Sequence, residues 1–145
     1  MVGPRGVVVG VDRAAVDPPF ENTNVIALVA DLEDPVLCDA VLEALGGKQA
    51  DVVLCDAAPK LSGLRDVDRA AEERLLEAVE VLLPSLLCKG GDLLLKILEG
   101  PEARQVSERI ERCFAKAKTT RSAATRKGSS ERYLVARGFR AGDAG

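Results

Sequence analysis

Short apolar runs and longer stretches of helical periodicity follow each other along the chain in a regular order. Continuous apolar runs, several of them closed by an acidic residue, are typical of buried strands in a parallel sheet. Segments in which apolar residues recur every three or four positions predict amphipathic helices. The strands are predicted at residues 6–12, 24–29, 51–55, 92–98, 115–120 and 132–137. The helices are predicted at residues 35–45, 66–87 and 102–114.

Glycine and proline mark where several of these elements should begin and end. Pro35 suits the first turn of the first helix, and the two glycines at 46 and 47 suit its end. Pro84 is expected to shorten or kink the second helix, because it lacks an amide N–H. The two glycines at 90 and 91 predict a turn into the fourth strand, and the polar, basic residues 122–130 predict a loop.

The alternation of strands and helices indicates the fold class. It predicts an α/β domain with a mostly parallel sheet and helices on its faces. At 145 residues the chain is long enough for one domain with a core and too short for two. We therefore expect a single domain over residues 1–140, followed by a flexible C-terminal end at residues 141–145.

The amino-acid composition mainly excludes certain classes of protein and certain kinds of site. Hydrophobic residues make up 47% of the chain and charged residues 30%, which is typical of a folded protein rather than a disordered one. Histidine is absent, so neither histidine acid–base catalysis nor a metal site is expected. The four cysteines are widely separated, which favours free thiols in a reducing, cytoplasmic setting. No membrane span is expected, because no apolar run reaches roughly 18 residues.

The net charge of −3 hides a division along the chain. Residues 1–100 carry 9 Lys or Arg against 18 Asp or Glu, whereas residues 101–145 carry 11 against 5. Residues 115–140 contain eight basic residues and a single acid, Glu131. A basic segment around one carboxylate suits a polyanion such as RNA held near a site. A solvated basic tail explains the charge equally well.

Three ionisable residues stand at or inside predicted strands and form a candidate acid–base site. Asp56 follows the third strand, Lys96 lies within the apolar fourth strand, and Glu131 precedes the last one. Open α/β sheets gather their reactive groups where strands end. An unpaired ammonium in apolar surroundings costs several kcal/mol, so Lys96 is expected to have a partner. The alternative is a lysine whose ammonium reaches solvent along a wet strand face.

Two further acids, Asp12 and Asp31, close the first and second predicted strands. A carboxylate at the end of a strand in a nucleotide-binding α/β unit commonly accepts hydrogen bonds from ribose hydroxyls. A second acid, one strand further along, suits an amino group. Each residue taken singly is also explained as a turn or helix-capping aspartate. Their position on successive strands makes a cofactor site the sharper hypothesis.

Three motifs in this order resemble the FtsJ/RrmJ family, the ribosomal RNA large subunit methyltransferases E. The motifs are Asp-Ala-Ala-Pro-x-x-Ser-Gly at 56–63, Gly-Gly-Asp-Leu-Leu-Leu-Lys-Ile-Leu-Glu-Gly at 90–100, and Arg-Lys-Gly-Ser-Ser-Glu-Arg-Tyr-Leu-Val-Ala-Arg-Gly-Phe at 126–139. The resemblance implies a Rossmann-like sheet with helices on both faces. It also implies transfer of a methyl group from S-adenosylmethionine to a ribose 2′-hydroxyl of RNA.

The resemblance also implies a role for each candidate residue. Lys96 matches the catalytic lysine that accepts the 2′-hydroxyl proton, and Glu131 matches an acidic member of the catalytic set. Asp56 matches an aspartate counted both in that set and in the methyl-donor site. Asp12 and Asp31 match the carboxylates on the ribose and adenine sides of S-adenosylmethionine. The implied substrate is a uridine of large-subunit ribosomal RNA, with transfer RNA as the other option, and the implied enzyme is a monomer.

The family's Gly-x-x-Pro-Gly-Gly-Trp segment and the catalytic lysine before it have no counterpart in this sequence. We therefore expect an N-terminally truncated domain that lacks the first strand and the Gly-rich loop. One explanation is a piece of a working enzyme. Another is a short, catalytically impaired form that binds RNA or ribosomal subunits. A third is a nucleotide-binding α/β domain unrelated to methyl transfer, which the motifs around Lys96 and Glu131 disfavour.

Overall fold

The computed structural model describes residues 2–98, 100–121 and 131–141. Within these residues the chain forms six strands and three helices. The chain divides into two compact units, Met1–Gln49 and Ala50–Gly145, each of which is described by itself. No helix among the described residues is long and apolar enough to cross a membrane. The single domain expected over residues 1–140 stays a prediction.

The first unit contains two parallel strands and one helix. Strand β1 (Val8–Asp12) pairs with β2 (Val25–Val29) in a regular ladder that sets Asp12 opposite Val29. Helix α1 (Leu37–Ala44) buries Leu37 and Val41. The helix ends as predicted, because the glycines at 46 and 47 adopt positive φ angles of 70° and 81° and their amides bond back to the last turn.

The second unit is built on a four-stranded sheet in the order β3-β4-β6-β5. Its elements in chain order are β3 (Ala50–Cys55), α2 (Arg65–Leu86), β4 (Leu87–Leu98), α3 (Pro101–Glu111), β5 (Phe114–Thr120) and β6 (Glu131–Phe139). Strands β3 and β4 are parallel, whereas β6 runs antiparallel to both of its neighbours. The sheet is therefore mixed rather than mostly parallel. Residues 121–130, which join β5 to β6, are fewer than the dozen or more that a parallel crossover needs.

One face of this sheet, the covered face, carries the hydrophobic core. Its centre is Leu93, Leu95 and Ile97 of β4, with Leu134 and Ala136 of β6. All five are at most 7% exposed. Helices α2 and α3 contact each other and β4, so both pack on this one side. The residues that they bury are Leu76, Val79, Leu83, Val106 and Ile110.

The opposite side, the open face, carries the alternate residues of the same strands. Pairing sets three rows across it, because directly opposed residues on neighbouring strands point to the same side. The rows are Val52–Asp92–Arg137–Lys116, Leu54–Leu94–Val135–Lys118 and Lys96–Tyr133–Thr120. Val52 and Leu54 are 53% and 71% exposed. Among the residues described in this unit, neither helix packs on this face.

One predicted element boundary was wrong. The glycines at 90 and 91 do not form a turn before β4, because the strand already begins at Leu87 and they lie in an irregular stretch of its ladder. Ala50 pairs with Leu87 and Val52 with Asp92, so more residues lie on β4 than on β3 there. A Cβ at Gly91 would lie 2.6 Å from Leu87 Cδ1, which explains the need for glycine.

Pro84 does not end helix α2, which continues to Leu86. A proline removes the hydrogen bond to the carbonyl four residues earlier, and within the last turn that loss does not stop the helix. The loop predicted at residues 122–130 lies outside the described residues.

Candidate active site

Strand alternation decides where Lys96 points. Its neighbours Leu95 and Ile97 are in the core, 1% and 7% exposed, so the lysine side chain must leave β4 on the open face. There it lies opposite Tyr133 of β6. Its side chain is only 12% exposed. The prediction of a largely buried lysine therefore matches the structure, and the alternative of an ammonium reaching freely into solvent does not.

Two carboxylates from different strands pair with this ammonium. Asp56 follows β3 directly, and Cys55 pairs with Leu95, so Asp56 lies level with Lys96. Its Oδ1 is 3.3 Å from Lys96 Nζ. Glu131, the first residue of β6, places its Oε1 at 4.0 Å from the same nitrogen. The structure thus brings together the three residues that the sequence placed at separate strand ends.

The three side chains differ sharply in exposure. The carboxylates of Asp56 and Glu131 are 78% and 42% exposed, whereas Lys96 is held between the strands. A lysine ammonium has three donors in all, so two ion pairs leave it capacity for a further oxygen. The arrangement can hold a hydroxyl oxygen beside a nitrogen that exchanges protons with solvent-exposed carboxylates.

Cys55, the nearest thiol, is not suited to act as a nucleophile here. Burial raises the pKa of the Cys55 thiol above its ordinary value, although the backbone N–H of Ala57 acts in the opposite direction. Because the thiolate is the reactive form, a raised pKa keeps this cysteine inert near neutral pH. This supports the expectation of free, structural thiols.

Asp68, near the start of α2, organises the loop between β3 and that helix. Its carboxylate accepts hydrogen bonds from Ser62 N at 2.7 Å, Ser62 Oγ at 2.8 Å and Gly63 N at 3.2 Å. The bonds from Ser62 lower the pKa of Asp68 below its ordinary value. Sequence reasoning gave Asp68 no role. The available signal was a Ser-Gly pair closely followed by an acid at a helix start.

The first unit holds the other two predicted residues, Asp12 and Asp31, at the ends of its paired strands. Asp12 Oδ1 accepts a hydrogen bond from Ala14 N at 3.0 Å, and Asp31 Oδ1 accepts one from Glu33 N at 2.9 Å. Both residues therefore stabilise turns, as the simpler explanation predicts. Asp31 Oδ2 also lies 3.3 Å from Arg13 Nε. The second oxygen of Asp12 has no partner among the described residues.

The open face also carries exposed basic residues. Lys116 and Lys118 of β5 point to the same side of the sheet as Lys96 and are both exposed. Arg137 joins them, with its Nε 3.3 Å from Asp92 Oδ2. In the described part of the chain no group of three Cys, Asp or Glu is arranged to hold a metal ion. Arg126 and Lys127, which the charge analysis counted, lie outside the described residues.

The fold and the site define a Rossmann-like α/β unit in which two carboxylates hold a lysine near the carboxyl end of an inner strand. The chain belongs to the FtsJ-like methyltransferase family, which matches residues 1–139. This confirms the family that the motifs resemble.

Named relatives agree with this assignment. A ribosomal RNA large subunit methyltransferase E from Methanothermobacter thermautotrophicus is 40% identical over 139 residues, covering 96% of this chain and 65% of that protein. The protein of the same name from Cenarchaeum symbiosum is 37% identical over 95% of this chain and 68% of its own length. The counterpart from Methanosphaera stadtmanae is 33% identical over 94% and 65%. The chain thus spans about 65% of the length of the first of these relatives.

Solved structures confirm the fold class. A Plasmodium falciparum protein described as a ribosomal RNA methyltransferase superposes with a TM-score of 0.76 at 21% identity, covering 92% of this chain and 72% of that one. The alphavirus P23pro-zbd protein gives a TM-score of 0.58 at 16% identity, covering 94% of this chain and 21% of that one. At these identities the likeness shows a shared fold.

Proposed function

We propose that this protein catalyses transfer of a methyl group from S-adenosylmethionine to a ribose 2′-hydroxyl of RNA. One observation carries the proposal: Lys96 Nζ lies 3.3 Å from Asp56 and 4.0 Å from Glu131, on a sheet face that also presents basic residues. The preferred substrate is a uridine of large-subunit ribosomal RNA, in line with the names of the relatives. Transfer RNA is the other candidate substrate.

In the proposed mechanism Lys96 removes the proton that the hydroxyl loses. Methylation would form a bond between the 2′-oxygen and the methyl carbon and would break the bond from that carbon to the donor's sulfonium sulfur, which would keep the electron pair. The hydroxyl proton must also leave. Lys96 Nζ first gives up one of its own protons towards solvent and then accepts this one. Asp56 is largely exposed and paired with the same nitrogen, so it connects the lysine to solvent and lets the amine form again. Glu131 holds the nitrogen from the second side and positions it.

Asp12 fits the methyl donor better than Asp31 does in this structure. Asp12 has one oxygen without a partner among the described residues, which can accept a hydrogen bond from a ribose hydroxyl. Asp31 has an oxygen 3.3 Å from Arg13, a side chain that is 77% exposed and can move aside for an amino group. S-adenosylmethionine, when bound, supplies a methyl group that the hydroxyl oxygen can attack.

The basic residues of β5 are proposed to hold the RNA backbone. On the open face Lys118 lies in the row next to that of Lys96 and Lys116 in the row beyond it, and both are exposed and can meet phosphates. Lysine contacts of this kind hold RNA without reading its sequence.

The experiment is a methyl-transfer assay with large-subunit ribosomal RNA. A 2′-O-methyl group blocks alkaline cleavage of the adjacent phosphodiester, so the modified nucleotide appears in an alkali-resistant dinucleotide. We expect Lys96→Ala to lower this product by about 10²- to 10⁴-fold, the usual contribution of a general base, while methyl-donor binding is retained. Lys89→Ala, an exposed lysine on the same strand, is the control and should keep full activity. Unchanged turnover in Lys96→Ala would remove that residue from catalysis.

The exposed Lys116 and Lys118 also favour a second candidate, a form that binds RNA or ribosomal subunits without methylating them. Backbone binding needs the basic face and makes no use of the Lys96 cluster. Calorimetric titration with S-adenosylmethionine separates the two candidates. A micromolar dissociation constant contradicts the binding-only form, and no detectable binding contradicts methyl transfer by this chain.

A further inference from the structure

A cavity of about 570 Å³ in the second unit has no part in the mechanism described above. The first turns of α2, the end of β4 and the start of α3 form its walls. Its charged lining consists of Arg65, Asp68, Arg69, Glu72 and Glu102, and Asp68 already accepts hydrogen bonds from Ser62 and Gly63. Leu98 is two residues beyond Lys96 on β4, so the cavity lies at the same end of that strand as the candidate active site, on the side where α2 and α3 pack. Its size lies in the range of cavities that bind small ligands, about 300–1,000 Å³.

Glu72 is a buried carboxylate that uses only one of its oxygens. The residue is 6% exposed, and its Oε1 accepts a hydrogen bond from Leu98 N at 2.5 Å. Its Oε2 is buried and has no hydrogen-bond partner among the described residues. Burial raises the pKa of Glu72, although the backbone N–H of Leu98 and the charge of Lys96 act in the opposite direction. A buried acceptor without a partner, lining a cavity, points to a donor on a bound molecule.

Glu102 repeats the pattern on the facing helix. Its Oε2 is also buried and without a hydrogen-bond partner in the described part of the chain. Gly100 marks the place where the two walls meet. A Cβ placed there would lie 3.7 Å from Glu102 Oε2 and 3.8 Å from Arg69 Nε. A carboxylate and a guanidinium therefore reach the same part of the cavity.

The arginines do not neutralise these carboxylates. Neither Arg65 nor Arg69 has an ion pair or a side-chain hydrogen bond among the described residues, although Glu72 and Glu102 line the same cavity. The two arginines are one helical turn apart, so they lie on the same face of α2. Planar guanidinium groups match the geometry of phosphate oxygens. The cavity thus offers unsatisfied acceptors in its wall and unsatisfied cationic donors near its opening.

We propose that this cavity binds one nucleotide of the RNA whose base carries an exocyclic amino group, that is adenine, cytosine or guanine. The amino hydrogens bond to Glu72 Oε2 and Glu102 Oε2, and Arg65 and Arg69 bind the phosphate. Uracil is disfavoured because its one N–H lies between two carbonyl oxygens, which the carboxylates repel. The proposal rests on the proposed function, since it takes the bound nucleotide from the RNA substrate.

The first test is a titration of ¹⁵N-labelled protein followed by amide chemical shifts. The probes are 5′-CMP, 5′-AMP, 5′-GMP, 5′-UMP and inorganic phosphate. We expect the three amino-bearing nucleotides to shift the amides of Gly63, Leu98 and Gly100 in a saturable way. 5′-UMP should bind about tenfold more weakly, the effect of one lost hydrogen bond to a charged group. Equal binding of all four nucleotides and phosphate would overturn the assignment of a base site.

Substitutions of residues that line the cavity test which side chains bind the nucleotide. Glu72→Gln keeps the acceptor for Leu98 N but removes the charge, and we expect about tenfold weaker binding of 5′-CMP. Arg69→Gln lies outside the core and should weaken 5′-CMP while leaving cytidine, which lacks the phosphate, almost unchanged. Glu77→Gln on the same helix, whose Oε1 is 3.9 Å from Arg109 and not in the cavity, is the control. Wild-type affinity in both cavity variants would overturn the proposal, and the spectra report whether each variant folds.

An RNA-binding experiment distinguishes failure of this proposal from failure of the proposed function. Single-stranded hexanucleotides of cytidine and of uridine are compared by fluorescence anisotropy with wild type and with Glu72→Gln. A preference for cytidine that Glu72→Gln abolishes supports the cavity. RNA binding without base preference in either protein overturns the cavity site and leaves the proposed function standing. If no hexanucleotide displaces bound 5′-CMP, the nucleotide in the cavity does not come from RNA, and that part of the proposal is wrong.

Discussion

The two faces of the four-stranded sheet use the same strands for opposite purposes. Leu95, on the covered face, is 1% exposed and lies under α2 and α3. Its neighbour Lys96, on the open face, has an ammonium paired with carboxylates from two other segments. Leu54, also on the open face, remains 71% exposed. Alternate residues of the apolar stretch around Lys96 thus lie in the core, and the others lie on the open face.

This difference shows how a reactive lysine can be held rigidly. Leu95 and Ile97 anchor the backbone on both sides of Lys96 in the core, and the lysine side chain is itself only 12% exposed. Sites on strands are positioned more accurately than sites on loops for this reason. The covered face holds the hydrophobic core, and the open face carries the proposed catalytic residues.

The largest expected stability effect tests the division between the faces directly. Leu95→Ala should lower the free energy of unfolding by about 2–5 kcal/mol, because it leaves a cavity under α2 and α3. Leu54→Ala, on the open face, should change it by no more than about 0.5 kcal/mol. Urea unfolding followed by circular dichroism measures both. Similar losses in the two variants would mean that the open face is buried in solution.

A second expected effect sharpens what the open face does. Replacing Lys116 and Lys118 together by alanine should weaken RNA binding and lower the slope of log affinity against log salt concentration by about 1.4, or 0.7 for each lost phosphate contact. The fold should be unaffected, since both side chains are exposed. A double variant of the exposed Lys48 and Lys89 is the matched control. An unchanged salt slope in the β5 variant would remove this strand from the RNA surface.

The smallest expected effect concerns the loop that enters the covering helix. Asp68 has a lowered pKa, because Ser62 and Gly63 donate hydrogen bonds to its ionised form. It therefore contributes stability that is present above its ordinary value of 3.8 and is lost as the pH falls through the lower folded-state value. At pH 7 wild type should have a larger free energy of unfolding than Asp68→Asn. This difference should disappear once the pH falls below the lowered pKa of Asp68 in the folded protein.

The control for this pH effect is Asp66→Asn, an acid in the same first turn of α2. Urea midpoints measured from pH 7 to pH 3 should show no comparable convergence for that variant. A constant gap between wild type and Asp68→Asn across the pH range would contradict the role assigned to the carboxylate.

Much of the fold and of the site was predictable from local pattern. Helix α1 ends at its two glycines as predicted, and α2 and α3 lie within a few residues of their predicted bounds. The regular ladder between β3 and β4 begins at Asp92, where the fourth strand was predicted, although the strand itself starts earlier. The antiparallel direction of β6 was not predicted, because strand direction depends on pairing between distant segments.

The sequence by itself determined the order of the elements, the family, and the placing of Asp56, Lys96 and Glu131 at strand positions. These features follow from hydrophobic periodicity and short motifs, which depend on neighbouring residues. Only the tertiary structure decided that the three residues meet, that Asp68 holds the loop, and that Glu72 lines a cavity. Strand register and helix packing set those contacts, and both join residues far apart in the chain whose pairing no local pattern specifies.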